Sequence, residues 1–175
     1  MNLYFIRHLP TQYNLNGFLQ GSMDIDIAEV MSEADEAIQL VLQTLRTVNF
    51  DQVYCSKLIR TQQTASLYGY KKYLIDERIN EFDFGIYEGK PRSVLLRDHE
   101  YEWLNDPFSL KLGESFNDFA DRINSFILDI RKFKNVLVFS HGVVGRYLDA
   151  KYNRSQINTM NQFHLNNNQL LKVLI

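Results

Sequence analysis

Unbroken apolar runs alternate along this chain with stretches in which apolar residues recur every third or fourth position. Asn2 to Ile6 and Asn135 to Ser140 are short runs without polar alternation, the pattern of strands covered on both faces. Gln52-Val53-Tyr54-Cys55 is a weaker third strand. Helical patterns separate them: Ala28 to Leu45 with Ala34, Ile38, Val41, Leu42 and Leu45 on one face, Thr61 to Tyr68, and Phe116 to Phe133 with Phe119, Ile123, Phe126, Ile127 and Ile130. Val143 to Ala150 is a further helical pattern. Ser115 with Asp118 three residues on is a capping-box-like start for the long helix. In the tail, Asn166-Asn167-Asn168 lies between Phe163-His164-Leu165 and Leu170 to Val173, which predicts a turn between two short strands.

Strands that alternate with helices imply an α/β fold with a largely parallel sheet. The prolines and glycines are scattered and no linker divides two cores, so one domain is expected over residues 1–175. A chain of this length can bury roughly 70% of the surface its unfolded form exposes. Charge narrows the function: 19 basic against 21 acidic residues give a formal −2, which argues against a nucleic-acid binder held by a basic face. No apolar run approaches the ~20 residues of a membrane span. The start, Met1-Asn2-Leu3, lacks secretory features, and a single cysteine, Cys55, cannot form an internal disulfide, so a cytoplasmic location is expected. Oligomeric state is not legible.

In open α/β sheets ligands bind beyond the carboxyl ends of the strands. The first strand ends in Ile6-Arg7-His8 and the later one in Phe139-Ser140-His141-Gly142, so parallel pairing brings His8 and His141 to one sheet edge. The stretch "YCSKLIRTQQTA" also runs from strand into helix and places Arg60 at the helix start. Two arginines, two histidines and helix N-termini make a compact anion site, with phosphate as the natural guest. The segment "RINEFDFGIYEGK" adds Glu81 and Glu88, and is too broken by glycine and aromatics for a regular helix.

Arg7-His8 with Thr11 and Asn14 resembles the opening motif of the histidine phosphatase superfamily, the phosphoglycerate mutase-like proteins. "LQGSMD", "SKLIRTQQTA", "INEFDFGIYEG", "LGESFNDFADRI" and "FSHGVVGRYL" resemble the family's later motifs in order, over Leu3 to about Leu148. The resemblance implies a three-layer α/β/α sandwich with a mostly parallel central sheet. It also implies a phosphomonoesterase that needs no metal or cofactor and acts on a small phosphorylated metabolite. By that resemblance His8 is the nucleophile that becomes phosphohistidine, Arg7, Arg60 and His141 clamp the phosphoryl oxygens, Asn14 adds a neutral donor, and Glu81 is the acid and base. Asp83 and Glu88 are the other carboxylates close in sequence to that role. Only Lys90 to Leu112 fills the gap in which the family's mutases carry a longer insert, which favours hydrolysis.

One departure bears on function. The family's glycine after the nucleophile is replaced by Leu9 and then Pro10, which pushes Leu9 toward an extended conformation and is expected to put its side chain at the mouth of the site. That departure motivates the rival reading, a phosphate-ligand binding module without turnover; a phosphoglycerate or phosphosugar mutase is third. Outside the motifs, His99 and His164 are expected to be solvated or packing residues, Phe82, Phe84, Tyr87 and Trp103 to be core or pocket wall, and Gly89 and Gly142 to form turns.

Overall fold

The computed structural model describes residues 1–29 and 32–175. In chain order the regular elements are β1 (Asn2–Arg7), α1 (Gln12–Leu15), α2 (Ser32–Leu45), β2 (Gln52–Cys55), α3 (Ile59–Leu67), β3 (Leu74–Ile75), α4 (Arg92–Asn105), α5 (Phe116–Ile130), β4 (Asn135–Ser140), α6 (Gly142–Asp149) and β5 (Leu170–Leu174). The strands form one sheet in the order β3-β2-β4-β1-β5, parallel except for β5, which runs antiparallel to β1 at the edge.

Because side chains alternate across a strand, the two central strands feed two separate cores. Leu3, Phe5, Val136 and Val138 point into a large core shared with Phe119, Ile123, Phe126 and Ile127 of α5 and Val144 and Leu148 of α6. Tyr4, Ile6, Leu137 and Phe139 point the other way, against Ile38, Leu42 and Leu45 of α2 and Ala65 of α3. Helices therefore cover both faces, as the α/β/α expectation requires. The aromatic cluster belongs to the first core: Phe82 stacks on Phe116 at 4.5 Å between ring centres and meets Phe84 and Phe119 edge-on. Ser115 caps α5, its Oγ accepting from the Asp118 backbone N–H at 3.1 Å.

Several predicted elements shift or change. The helix expected from Ala28 is described from Ser32, and the Ala28 N–H donates to the Pro10 carbonyl at 2.8 Å; Val30 and Met31 lie outside the described residues. The tail forms one strand rather than two: β5 pairs with β1, while Phe163 to Leu165 follows a non-strand path and the Leu165 carbonyl accepts from Arg7 Nη1. Neither β3 nor α4 was legible. β3 has only two residues, and in α4 the apolar residues cluster at Val94-Leu95-Leu96 and Trp103-Leu104 on either side of a backbone break at His99 (φ −146°, ψ 39°).

Leu9 is also corrected. It is extended in the sense that no positive φ occurs there, but its side chain is 1% exposed in the second core and does not stand at the cavity mouth. Its N–H donates to Thr64 Oγ1 at 3.0 Å, which turns the residue inward. Leu9→Ala should therefore behave as a core truncation and lower stability by about 2–5 kcal/mol. Urea denaturation checks this, and a loss below about 0.5 kcal/mol, the range of surface substitutions, would contradict the burial.

Candidate active site

Register sets the site. β1 and β4 pair in parallel with Arg7 opposite Ser140, so the residues that follow, His8 and His141, leave the sheet together with ring centres 5.3 Å apart. A cavity of about 330 Å³ opens at this edge. Of the seven positions singled out from the sequence, Arg7, His8, Asn14, Arg60 and Glu81 line it; His141 lies directly behind and is fully buried, and Glu88 lies outside its walls.

The tautomer of His8 follows from its partner. Nδ1 lies 2.7 Å from the Leu9 carbonyl, which can only accept, so Nδ1 carries the proton and Nε2 keeps its lone pair. Nε2 has no hydrogen bond and is not sealed from solvent. Burial first, then the positive charges of Arg60 and Arg7, push this imidazole well below its ordinary pKa. Burial and Arg60 do the same to His141. His141 Nε2 is hydrogen-bonded to Ser56 Oγ at 2.7 Å, and its Nδ1 has no partner.

The arginines are fixed by main-chain carbonyls that leave part of each guanidinium unspent. Arg60 donates from Nη1 to the Met23 carbonyl at 2.6 Å and from Nη2 to the Gly21 carbonyl at 2.8 Å, while its Nε is buried and unpartnered. Burial lowers its pKa to about 10, against the opposing pull of Glu81, Asp24 and Glu88. Arg7 Nε is likewise buried without a partner. Asn14 is oriented by capping α1: its Oδ1 accepts from the Thr11 N–H at 3.1 Å and from Asn167 Nδ2 at 3.3 Å, so its NH₂ group is left for the cavity. Buried polar groups normally find partners. Among the described residues the unpartnered buried side-chain atoms belong to Arg7, Gln20, Arg60 and Trp103, all on the cavity wall, and to His141 behind it.

Glu81 sits at the start of α6. Its Oε1 accepts from the Phe82 and Val143 N–H groups at 3.1 and 3.0 Å, and its Oε2 from Gly142 at 3.0 Å and more loosely from Val143 at 3.3 Å. The segment that presents it is braced by Arg122, which donates to the carbonyls of Arg78, Asn80 and Glu81 and pairs with Glu114 at 2.6 Å. Glu88 has a different task. It accepts from the Ser22 N–H and hydroxyl at 2.7 and 2.9 Å and fixes the turn whose Gly21 carbonyl orients Arg60. Gly21 has φ +51°, a backbone conformation that favours glycine, and a Cβ there would fall 1.9 Å from Glu88 Oε1, so a larger residue would displace that carboxylate from Ser22.

Sequence reasoning missed part of the wall. Arg92 and Trp103 come from α4, Arg146 from α6, and His164, Asn166 and Asn167 from the tail. His164, expected to be solvated or packing, is exposed and also lines the cavity. Arg146 carried a usable signal, a cation set among Val143, Val144, Tyr147 and Leu148. Gly142 is corrected too: it begins α6 rather than forming a turn, and a Cβ there would lie 3.3 Å from Arg7 Cζ, so its role is room for the guanidinium. Gly89, with φ +74°, does form a turn.

The neutral histidines predict a pH effect. Below about pH 6.5 the unfolded chain protonates both imidazoles while the folded protein resists, so the unfolded state binds more protons and stability falls with falling pH. Between about pH 6.5 and 5 the loss should reach about 1.4 kcal/mol per pH unit for each ring. Glu88, raised by burial, acts in the opposite sense nearer its own range. Urea denaturation from about pH 7.5 to 5 should give His141→Asn close to half the wild-type slope; an unchanged slope contradicts the assignment.

The model of the histidine phosphatase superfamily (branch 1) matches residues 3–175. The adenosylcobalamin/α-ribazole phosphatase of Escherichia coli (strain K12) is 33% identical over 165 residues, which is 86% of this chain and 78% of that protein. Phosphoserine phosphatase 1 of Hydrogenobacter thermophilus (strain DSM 6534 / IAM 12695 / TK-6) is 28% identical over 154 residues, 82% of this chain and 72% of that one. The crystal structure of the α-ribazole phosphatase from Shigella flexneri superposes with a TM-score of 0.79 at 27% identity, covering all of this chain and 91% of that chain. With its motifs gathered at one sheet edge and its whole length matched, the chain belongs to the histidine phosphatase superfamily and is a phosphatase of that family.

Proposed function

We propose that the protein is a metal-independent phosphomonoesterase that hydrolyses a small phosphorylated metabolite through phosphohistidine on His8. The observation that carries this reading is the His8 ring: Nδ1 pinned to the Leu9 carbonyl, Nε2 open to a cavity walled by Arg7 and Arg60. The Leu9 carbonyl holds the ring even though the family's glycine is absent, which weighs against the binding-module alternative. By their names the two relatives are an adenosylcobalamin/α-ribazole phosphatase and a phosphoserine phosphatase, which supports a phosphorylated metabolite as substrate.

In the first step the Nε2 lone pair attacks phosphorus, an N–P bond forms as the ester P–O bond breaks, and the electron pair leaves on the alkoxide. Glu81 gives that alkoxide a proton. In the second step Glu81 takes a proton from water, the water oxygen attacks phosphorus, and the N–P bond breaks with its electrons returning to Nε2. Oε2 is the better site for the working proton, because it holds one short amide contact and shares the Val143 N–H with Oε1. Arg7, Arg60, the Asn14 amide and His141 Nδ1 supply donors to the non-bridging oxygens, where other phosphoryl-transfer enzymes use a metal ion. For His141, a proton on Nδ1 requires Nε2 to accept from the Ser56 hydroxyl, and their 2.7 Å contact permits it.

Two experiments test this. Quenching the enzyme during turnover of a ³²P-labelled phosphomonoester should leave an acid-labile, base-stable label on the peptide carrying His8; label on serine, aspartate or Cys55 overturns the mechanism. Glu81→Gln should slow the phosphorylation step of an alkyl ester by about 10²-fold, and that of p-nitrophenyl phosphate much less, because its leaving group departs without a proton. Arg60→Ala should slow both alike. Single-turnover kinetics separate the steps, and equal losses in Glu81→Gln would remove Glu81 from the acid role.

A further inference from the structure

The cavity carries more positive charge than a phosphoryl group balances. Its walls hold four guanidinium groups, Arg7, Arg60, Arg92 and Arg146, against the one carboxylate of Glu81. A phosphomonoester bound as a dianion, its second pKa lying near 6, leaves one excess positive charge with Glu81 ionised and two when Glu81 holds the proton its acid role requires.

Arg146 is where the remainder is concentrated. It projects from α6 one turn beyond Gly142, and its Nε donates to Asn161 Oδ1 at 3.1 Å. Asn161 is itself fixed, donating from Nδ2 to the Trp103 carbonyl at 3.0 Å. The plane of the guanidinium is thus set, while its two terminal nitrogens form no hydrogen bond among the described residues. Burial lowers its pKa to about 10, with Glu81 opposing and the like charges of Arg7 and Arg92 adding to the fall, and it stays protonated at neutral pH. Arg146 Nη1 and Arg7 Cζ lie 3.5 and 3.3 Å from the same point, the place a Cβ on Gly142 would occupy. Two guanidinium groups are therefore neighbours in a desolvated wall, an arrangement that is costly without an anion between or beside them.

We propose that Arg146, assisted by Arg92, forms a second anion subsite, so that the substrate is a compact phosphomonoester bearing another negative group, a carboxylate or a phosphate, within a few bonds of the ester. This rests on the phosphatase reading of the same cavity. Arg7 and Arg60 take the reacting phosphoryl group beside His8, and the fork of Arg146 takes the second anion across Gly142. Esters of neutral alcohols fill the first subsite and leave the second charge uncompensated.

The test uses pairs of substrates that differ by one anion. O-phosphoserine and O-phosphoethanolamine differ by a carboxylate; glycerol 1,3-bisphosphate and glycerol 1-phosphate differ by a phosphate. The wild-type enzyme should favour the more anionic member of one pair by about 10-fold or more in kcat/KM, the value of one charge-assisted hydrogen bond, and the pair that responds identifies the anion. Arg146→Gln should bring that ratio close to one, chiefly through KM. Arg92→Ala, at an exposed helix start where folding is not at risk, should lower it in the same direction. Equal rates within both wild-type pairs overturn the subsite, as does a preference that survives both substitutions. If Arg146→Gln fails to fold, the Arg92→Ala ratio decides. Should no ester turn over, the phosphatase reading fails separately, and calorimetric binding of the same pairs decides the subsite, with equal affinities overturning it.

Discussion

The parallel pairing of β1 with β4 is the constraint on which the rest of the site depends. With Arg7 opposite Ser140, both strands stop at the same level, and the next residue of each is a histidine. One residue of slip would turn each side chain to the opposite face and exchange the two cores, so the apolar runs of these strands enforce the register that the chemistry needs. Leu3, Phe5, Val136 and Val138 on one face and Tyr4, Ile6, Leu137 and Phe139 on the other are packed too fully to permit that slip. The helix that follows β4 then offers its first N–H groups to Glu81, which fixes the carboxylate beside the same edge.

Against that rigid frame stands an electrostatic cost. Guanidinium groups are gathered where water is scarce, and the fold compensates them with neutral dipoles more than with counter-charges. Arg60 is held by the carbonyls of Gly21 and Met23 and Arg7 by that of Leu165, so each keeps a charge that a carboxylate partner would have cancelled. Carboxylates are set one layer back: Glu88 holds the turn under Arg60, and Glu114 pairs with Arg122 to support the segment bearing Glu81. The outcome is a cavity lined by donors without protein partners, the kind of arrangement on which the proposed phosphoryl transfer relies.

The Leu9-Pro10 departure shows how the fold accommodates a change beside the histidine proposed as the nucleophile. What holds His8 is the carbonyl of the next residue, a group every amino acid has, and the new side chain is absorbed by the core with Thr64 receiving its N–H. The cavity walls away from His8 come from later segments. The short Lys90 to Leu112 segment folds into α4 and supplies Arg92 and Trp103, and the tail supplies His164 and Asn167.

The amino-acid sequence by itself marked β1, β2 and β4, placed α2, α3, α5 and α6 within a few residues, and set Arg7, His8, Arg60 and His141 at strand ends and a helix start, because these are local signals; Asn14, and Glu81 over its neighbours Asp83 and Glu88, were marked by the family resemblance alone. It also carried the α/β/α layering, since runs covered on both faces require helices on both sides. Only the tertiary structure decided the rest. β3 is too short and α4 too irregular in its apolar spacing to announce themselves, and the strand expected at Phe163 to Leu165 yielded to a path set by Arg7 and the end of β1. Whether Leu9 faced solvent or core depended on the second core that α2 and α3 close beside it, with Thr64 of α3 taking its N–H. Arg92, Arg146 and the tail residues reach the cavity from separate elements, and which donors are left unpaired depends on partners that come together only when those elements pack.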